Sequence, residues 1–568
     1  MNKAFLIFTL GILMIAGSCS NKQQLVRIAV STDVHGSIFP YDPVQQRETQ
    51  NSLAHMFSYI KAHDDNPDTL MLVLDNGDFL QGSPGIYYYN FIDTLHPHLA
   101  SSVLNYMGYD AASVGNHDIE AGPAVYRRLE KDYAFPWLAA NAVFEANGEP
   151  AFEPYAILHA GAFKVAVLGL ITPGIPNWLP KTLWPDMVFE DMTETAQKWI
   201  PRIQEKEKPD LIIGLFHSGT DLSYGGNPEP YLNENASLHI AKTVPGFDAI
   251  FAGHDHQTGI YWVLNPEGDS VVVIDPGSHA RFAGELLVEL APAGAKIKSA
   301  KNVDLSGYQP SAEFIKAFEN ERLAIDNYLE DTVCWLAADI EGLDALFGPS
   351  SISTLIHQLQ LDLSGADISF TAPLSLNAHL REGPLRVADM FSLYRFENML
   401  YVMELTGREI NGFLEHAADN WFATMKSKSD HMLRFSENEP GRLAHPYFNF
   451  SSAAGIDYTV DLREEAGSRI SILQFSDGRC FHPDSSYRVA LNSYRGNGGG
   501  GHLTAGSGIA SEDLSKRVLW SSTSDLRFHL MKNLETRDTL FPDLLKNWNA
   551  LPEGWVSSAS LSDRKLFE

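Results

Sequence analysis

The stretch Ala111-Ala-Ser-Val-Gly-Asn-His-Asp118 is a short apolar run that breaks at Gly115 into Asn116-His117-Asp118. Working outward, the same form recurs. Asp33-x-His35 follows Val26–Ser31, and Gly77-Asp78 follows Leu70–Leu74. His217 follows Leu211–Phe216, and Gly253-His254-Asp-His256 follows Ala249–Ala252. Short apolar runs bounded by glycine and polar residues read as buried strands, and Val165–Leu170 is another. Thr94–Met107 and Met192–Lys206 repeat apolar residues at spacings of three and four, which predicts helices. Strands alternating with helices predict an α/β sheet covered on both faces. Asp33, Asp78, Asn116, His217 and His254 would then lie at strand C-terminal ends, where open α/β sheets place their sites.

The residue types at these positions point to chemistry. Carboxylate, amide and imidazole donors in this number suit two divalent cations held side by side for hydrolysis. Asp33 and His35 are two residues apart, so an extended strand would point both to one side. With Asp78 and His256 they would form a first site, and Asn116, His217 and His254 a second, Asp78 bridging the two. His117 is expected to face the substrate, stabilising phosphoryl charge or protonating the leaving oxygen. Glu120, three residues on, would orient it. The donor set is compatible with Zn, Mn, Co or Fe. Each motif alone is weak; their order and their placement after strands carry the reading. Asp75 and Asp255 read as supporting residues, and His55, His63, His96 and His98 as surface or core.

A chain of 568 residues is too long for one core. A formal charge of −29 argues against nucleic-acid polymers as partners, while a small phosphorylated ligand remains compatible. Lys3, the apolar run Ala4–Ile15 and Ala16-Gly-Ser-Cys19 read as a lipoprotein signal over 1–18, with Cys19 lipidated. That places the protein at a bacterial cell envelope, periplasmic or surface-exposed, with membrane contact through the lipid anchor alone and no protein partner implied. Cys334 and Cys480 are too few for a disulfide framework and either pair or stand as incidental thiols.

Val271–Asp275 and Ala283–Leu290 look like antiparallel strands closing a catalytic domain over 19–305. A linker helix is expected within 306–335 and a second domain over 336–568. In the second domain, Ser351–Ser364, Val387–Phe391 and Gly407–Ala417 read as helices and Leu400–Thr406 as a strand.

In this order the motifs resemble the calcineurin-like metallophosphoesterase domain of the periplasmic nucleotidase family. Within it, three stretches resemble the bifunctional 2′,3′-cyclic-nucleotide 2′-phosphodiesterase/3′-nucleotidases. They are Asp75-Asn-Gly-Asp-Phe-Leu-Gln-Gly-Ser-Pro84, Asn449-Phe-Ser-Ser-Ala-Ala-Gly-Ile-Asp-Tyr458 and Asn492-Ser-Tyr-Arg-Gly-Asn-Gly-Gly499. The resemblance implies an α/β fold: a four-layer metallophosphoesterase β-sandwich flanked by helices, joined by a linker helix to a second α/β substrate-binding domain. It further implies that Phe450 and Tyr494 clamp a nucleobase, with Asn492, Gly498 and Gly499 beside it. From the residues alone, Phe450 and Tyr494 would pass for ordinary core. The family's 5′-nucleotidases carry Asn-Gly-Gly-x-Arg where this chain reads Phe370-Thr-Ala-Pro-Leu-Ser-Leu-Asn-Ala-His-Leu380, without the arginine. The expected activity is therefore 2′,3′-cyclic-nucleotide 2′-phosphodiesterase/3′-nucleotidase. The alternatives are a 5′-nucleotidase or nucleotide-sugar hydrolase and, more remotely, a non-catalytic nucleotide-binding lipoprotein. Chemistry in one domain and base binding in the other implies a hinge near 310–335.

Overall fold

The computed structural model describes residues 23–567 apart from 65, 67, 225–227, 438 and 440. The signal segment 1–18 and Cys19 lie outside the described residues.

Two six-stranded sheets pack face to face. The first has the order Gly294–Asp304, Phe282–Ala291, Gln24–Ser31, Thr69–Asp75, Ala111–Ser113, Trp137–Leu138. The second runs Thr258–Leu264, Ser270–Pro276, Ala249–Phe251, Leu211–His217, Phe163–Ile171, Tyr155–Ala160. Alternation along Gln24–Ser31 explains the layering. Val26, Ile28 and Val30 enter the core between the sheets, while Ala29 points outward beneath the helices Leu53–Asp64 and Leu99–Met107. Met192–Glu207 and Ser237–Thr243 cover the outer face of the second sheet. The result is a helix–sheet–sheet–helix stack, as expected. Val271–Asp275 and Ala283–Leu290 are both strands, but they lie in opposite sheets rather than pairing with each other.

The helix expected from Thr94 starts at Leu99. Pro97 precedes it, and the buried His98 caps it, its Nδ1 accepting the Ala100 N–H at 3.1 Å. The expected linker helix is two helices, Ala312–Ala317 and Glu319–Glu330. They break at Phe318, whose buried ring packs against Phe314 and Tyr106.

The second half is built on a five-stranded sheet in the order Ser452–Ala454, Ile368–Thr371, Ser486–Asn492, Met399–Thr406, Val518–Asp525. Helix Gly407–Trp421 starts in a capping box, Thr406 accepting from the Glu409 N–H and Glu409 from the Thr406 N–H. Its Phe413 stacks on Phe370 of the sheet at 3.9 Å. One apolar core runs from the first sheet's helices into the second half through Ile325, Phe391 and Met531, so the halves are packed together. Cys334 is buried, Cys480 is exposed, and both are free thiols.

Candidate metal centre and adjoining cavity

The expected metal-binding side chains converge where the strands of both sheets end. Ligand-type atoms of Asp33, His35 and His256 lie within 4.8 Å of one another, and so do those of Asp78, His217 and His254. The His35 and His256 Nε2 atoms face each other at 3.0 Å, and His256 Nε2 lies 3.3 Å from Asp33 Oδ1. Asn116 Oδ1 joins the second group, 2.8 Å from His254 Nδ1 and 3.1 Å from His217 Nε2. Imidazole nitrogens turned toward one another and toward buried carboxylates make a donor set that a cation would satisfy.

The convergence has a backbone cause that differs from the extended-strand expectation. The strand ends at Ser31, and Asp33, His35, Asp78, His254 and His256 all adopt left-handed backbone, with φ from 48° to 78°. Such residues cost of order 1–3 kcal/mol each and persist where surrounding contacts over-determine them. Here the loops bond to one another. Asp33 N–H donates to Gly77 O at 2.9 Å, His35 N–H to Asp78 O at 3.0 Å, and His254 N–H to the Asp33 carboxylate. Gly115 leaves room for Asp78; a Cβ there would sit 2.1 Å from Asp78 Oδ1.

The site's carboxylates and imidazoles also act on one another. Burial alone would discharge His217, but Asp78 and Asp33 outweigh it and push its pKa up to about 10. His35, where burial dominates, is held down at about 3. His117 is opposed by burial and raised by Asp78 and Glu120 to about 10. Its Nδ1 contacts Glu120 Oε2, and its Nε2 is 4.0 Å from Asp78 Oδ2.

His117 and Glu120 also form one wall of a cavity of about 240 Å³. The rest comes from Gln81 and from the second half: Leu374, Phe396, Glu397, Asn398, Phe448, Asn492 and Tyr494. The Phe448 and Tyr494 ring centroids are 6.4 Å apart with the planes at 83°, and those of Phe396 and Phe448 are 6.4 Å apart at 74°, so both pairs are edge to face. His117 and Glu120 thus share one cavity with aromatic residues of the second half.

Residues 26–258 match the calcineurin-like phosphoesterase family, and residues 337–506 match the 5′-nucleotidase C-terminal domain. The chain carries a calcineurin-like phosphoesterase domain and a 5′-nucleotidase C-terminal domain. This phosphoesterase is 26% identical to the trifunctional nucleotide phosphoesterase protein YfkN of Bacillus subtilis, over 95% of this chain and 40% of that protein. It therefore spans well under half of that relative's length. It is 24% identical to the 2′,3′-cyclic-nucleotide 2′-phosphodiesterase/3′-nucleotidase of Yersinia enterocolitica, over 87% and 84% of the two chains. A putative 5′-nucleotidase from Staphylococcus aureus, solved with α-ketoglutarate, shares the fold. Its TM-score is 0.74 at 21% identity, covering 93% of this chain and all of that one. The phosphoesterase domain makes this a metal-dependent hydrolase, and the two donor clusters are where divalent cations fit.

Two expectations for the phosphoesterase's second half need correction. Phe450 is fully buried and stacks on Trp421 at 5.6 Å, away from the cavity; Phe448 and Phe396 face Tyr494 instead. Gly498 and Gly499 do not line the cavity either. Gly499 packs behind the Tyr494 ring, where a Cβ would come within 2.5 Å of it. Tyr494 and Asn492 are in the cavity wall.

Other supporting residues escaped the sequence reading. Glu234 lies 3.2 Å from His254 Nε2, Asn76 O accepts from His217 Nδ1 at 2.7 Å, and the Trp178 ring covers His254 at 5.3 Å. Asp118 is the hub of the loops. Its oxygens accept the N–H groups of Asp78, Phe79, Leu80 and Gly115 at 2.8–3.1 Å. Asp118→Asn turns an NH₂ toward some of these donors and is expected to weaken metal binding 10- to 100-fold, about what loss of an outer-sphere partner costs. Titration of the apo-protein with Mn²⁺ by calorimetry measures this, and an unchanged affinity would refute the role. Asp255 supports in a similar way, accepting from Thr220 and Gln257 N–H, while Asp75 is bound to Ser31.

Proposed function

We propose that this phosphoesterase hydrolyses 2′,3′-cyclic nucleotides and 3′-nucleotides to nucleoside and phosphate. The observation that carries the reading is the single cavity in which His117 and Glu120 face Phe396, Phe448 and Tyr494. Aromatic faces accept any nucleobase by stacking, worth about 1–3 kcal/mol per base. No arginine lines the cavity among the described residues, in keeping with the missing Asn-Gly-Gly-x-Arg segment. The activity of the Yersinia relative supports the same choice.

In this reading Asp33, His35 and His256 hold one cation and Asn116, His217 and His254 the other, with Asp78 between them. When bound, the cations supply Lewis acidity at the phosphoryl oxygens and lower the pKa of water. The chain's own residues do the rest. Glu120 holds His117 at Nδ1, so Nε2 is the atom left to give a proton to the departing oxygen. The amides of Gln81, Asn398 and Asn492 line the wall as partners for ribose and base edges. One phosphorus serves both steps: hydrolysis breaks its bond to O2′ first, leaving a 3′-nucleotide, then its bond to O3′.

The test is phosphate release by residues 20–568 with Mn²⁺ from 3′-AMP and 5′-AMP, and adenosine formation from 2′,3′-cyclic AMP. A preference for 5′-AMP would overturn the regiochemistry in favour of a 5′-nucleotidase. No turnover of any of the three, with metal bound, would favour a binding protein.

The cell-envelope reading rests on Lys3, the apolar run Ala4–Ile15 and Cys19. Among the described residues no helix is long and apolar enough to cross a membrane. Palmitate labelling in a bacterial host is expected for the full chain and lost in Cys19→Ala; equal labelling of both refutes the anchor.

A further inference from the structure

The stretch Asn492-Ser-Tyr-Arg495 places an arginine next to the cavity's tyrosine, and neither the metal centre nor the cavity wall uses it. Arg495 is only 4% exposed, and among the described residues it forms no ion pair with a carboxylate. Burying a cation without an anion is costly unless hydrogen bonds compensate. The partners here are two backbone carbonyls and two neutral side chains, and they come from the segments that build the aromatic cavity. Nη2 donates to Phe448 O at 2.8 Å. Nη1 donates to Gly499 O at 2.5 Å, to His502 Nδ1 at 2.9 Å and to Asn449 Oδ1 at 3.3 Å. With His502 Nε2 donating to Asn449 O at 2.9 Å, Nδ1 accepts from the guanidinium; it also lies 3.0 Å from Gly500 O. The turn carrying Tyr494 is fixed in the same way, Asn492 Oδ1 accepting the Arg495 N–H at 2.9 Å.

The glycine turn is shaped around this group. Gly500 has φ 70°, and a Cβ there would lie 2.2 Å from Arg495 Nη1 and 2.4 Å from Asn449 Oδ1. Gly500 is thereby accounted for as room for a buried guanidinium.

We propose that Arg495 is a positioning residue that ties the Phe448 segment to the Tyr494 turn and so fixes the edge-to-face placement of their rings, on which the cavity's preference for a substrate that carries a base depends. The inference rests on the reading that the cavity takes a nucleobase. A planar fork reaches acceptors on two segments at once; a lysine ammonium, as a point donor, reaches fewer.

The experiment compares kcat and KM for 3′-AMP and for p-nitrophenyl phosphate, which lacks a base, in the Mn²⁺-loaded full chain. Arg495→Ala is expected to raise KM for 3′-AMP about tenfold, the lower end of what one lost stacking contact costs, with kcat within about twofold. Both parameters for p-nitrophenyl phosphate should stay at the wild-type value. Arg495→Lys should recover part of the loss, and Gly500→Ala, which crowds the same guanidinium, should raise the same KM. If Arg495→Ala does not fold, Gly500→Ala decides alone. A 3′-AMP KM that stays at the wild-type value, or p-nitrophenyl phosphate parameters that worsen by the same factor, overturns the inference. A wild-type enzyme without preference for the nucleotide would overturn the nucleobase reading together with it.

Discussion

Asp78→Ala is expected to lose bound metal and turnover together. The Asp78 carboxylate is buried in the second donor cluster, with Oδ2 3.1 Å from His217 Nε2 and Oδ1 accepting the His117 N–H at 2.8 Å, and we propose that it also serves the first. Burial opposes its ionisation, but His217, His117 and His35 outweigh that and hold its carboxyl well below the usual carboxylate range. Without it, His217, His254 and Asn116 retain no carboxylate, and the clusters share no donor. Charge stabilisation by a metal site is worth several kcal/mol, and about 1.4 kcal/mol is a factor of ten in rate. We therefore expect kcat/KM to fall by about 10³ or more, with metal content per chain reduced on elemental analysis. Circular dichroism controls for folding. A folded variant with full metal content and a near-normal rate would remove Asp78 from the bridging position.

His117→Ala is the complementary case. The ring stands outside both donor clusters, is about one-third exposed to the cavity, and is held through Nδ1 by Glu120. Metal content is expected to be unchanged while kcat falls by about 10²–10⁴, the range for losing a positioned general acid. The KM for 3′-AMP should move little, because base stacking lies on the opposite wall. Loss of metal in this variant would instead make His117 part of the metal site. The two variants together separate holding the cations from moving the proton.

The metal donors were legible in the chain because their chemistry is local. Asp33-x-His35, Gly77-Asp78, Gly115-Asn-His-Asp118 and Gly253-His-Asp-His256 each follow a strand whose apolar pattern is readable by itself. The geometry that brings them together was not legible. Spacing of two suggested a shared side of an extended strand, whereas Asp33 and His35 are both left-handed. That backbone is imposed by bonds to Gly77 and Asp78, more than forty residues away in sequence. Asp118 went unassigned for the same reason: three of the four N–H groups it accepts belong to Asp78–Leu80, on another loop.

The aromatic wall shows the limit most clearly. Phe448 and Phe450 are two apart, and neither composition nor periodicity says which faces a ligand. Tyr447–Asn449 is a 3-10 turn, which swings Phe450 under Trp421 and leaves Phe448 on the cavity. Phe396 comes from another part of the chain altogether. What the sequence determined by itself was the donor inventory, the order of the strands that carry it and the two-part architecture, since strand pattern and residue type are properties of short segments. Which backbone strains to aim those donors, which aromatics meet across the cavity, and what the buried Arg495 holds were decided only by tertiary structure, because each depends on partners that packing alone brings within reach.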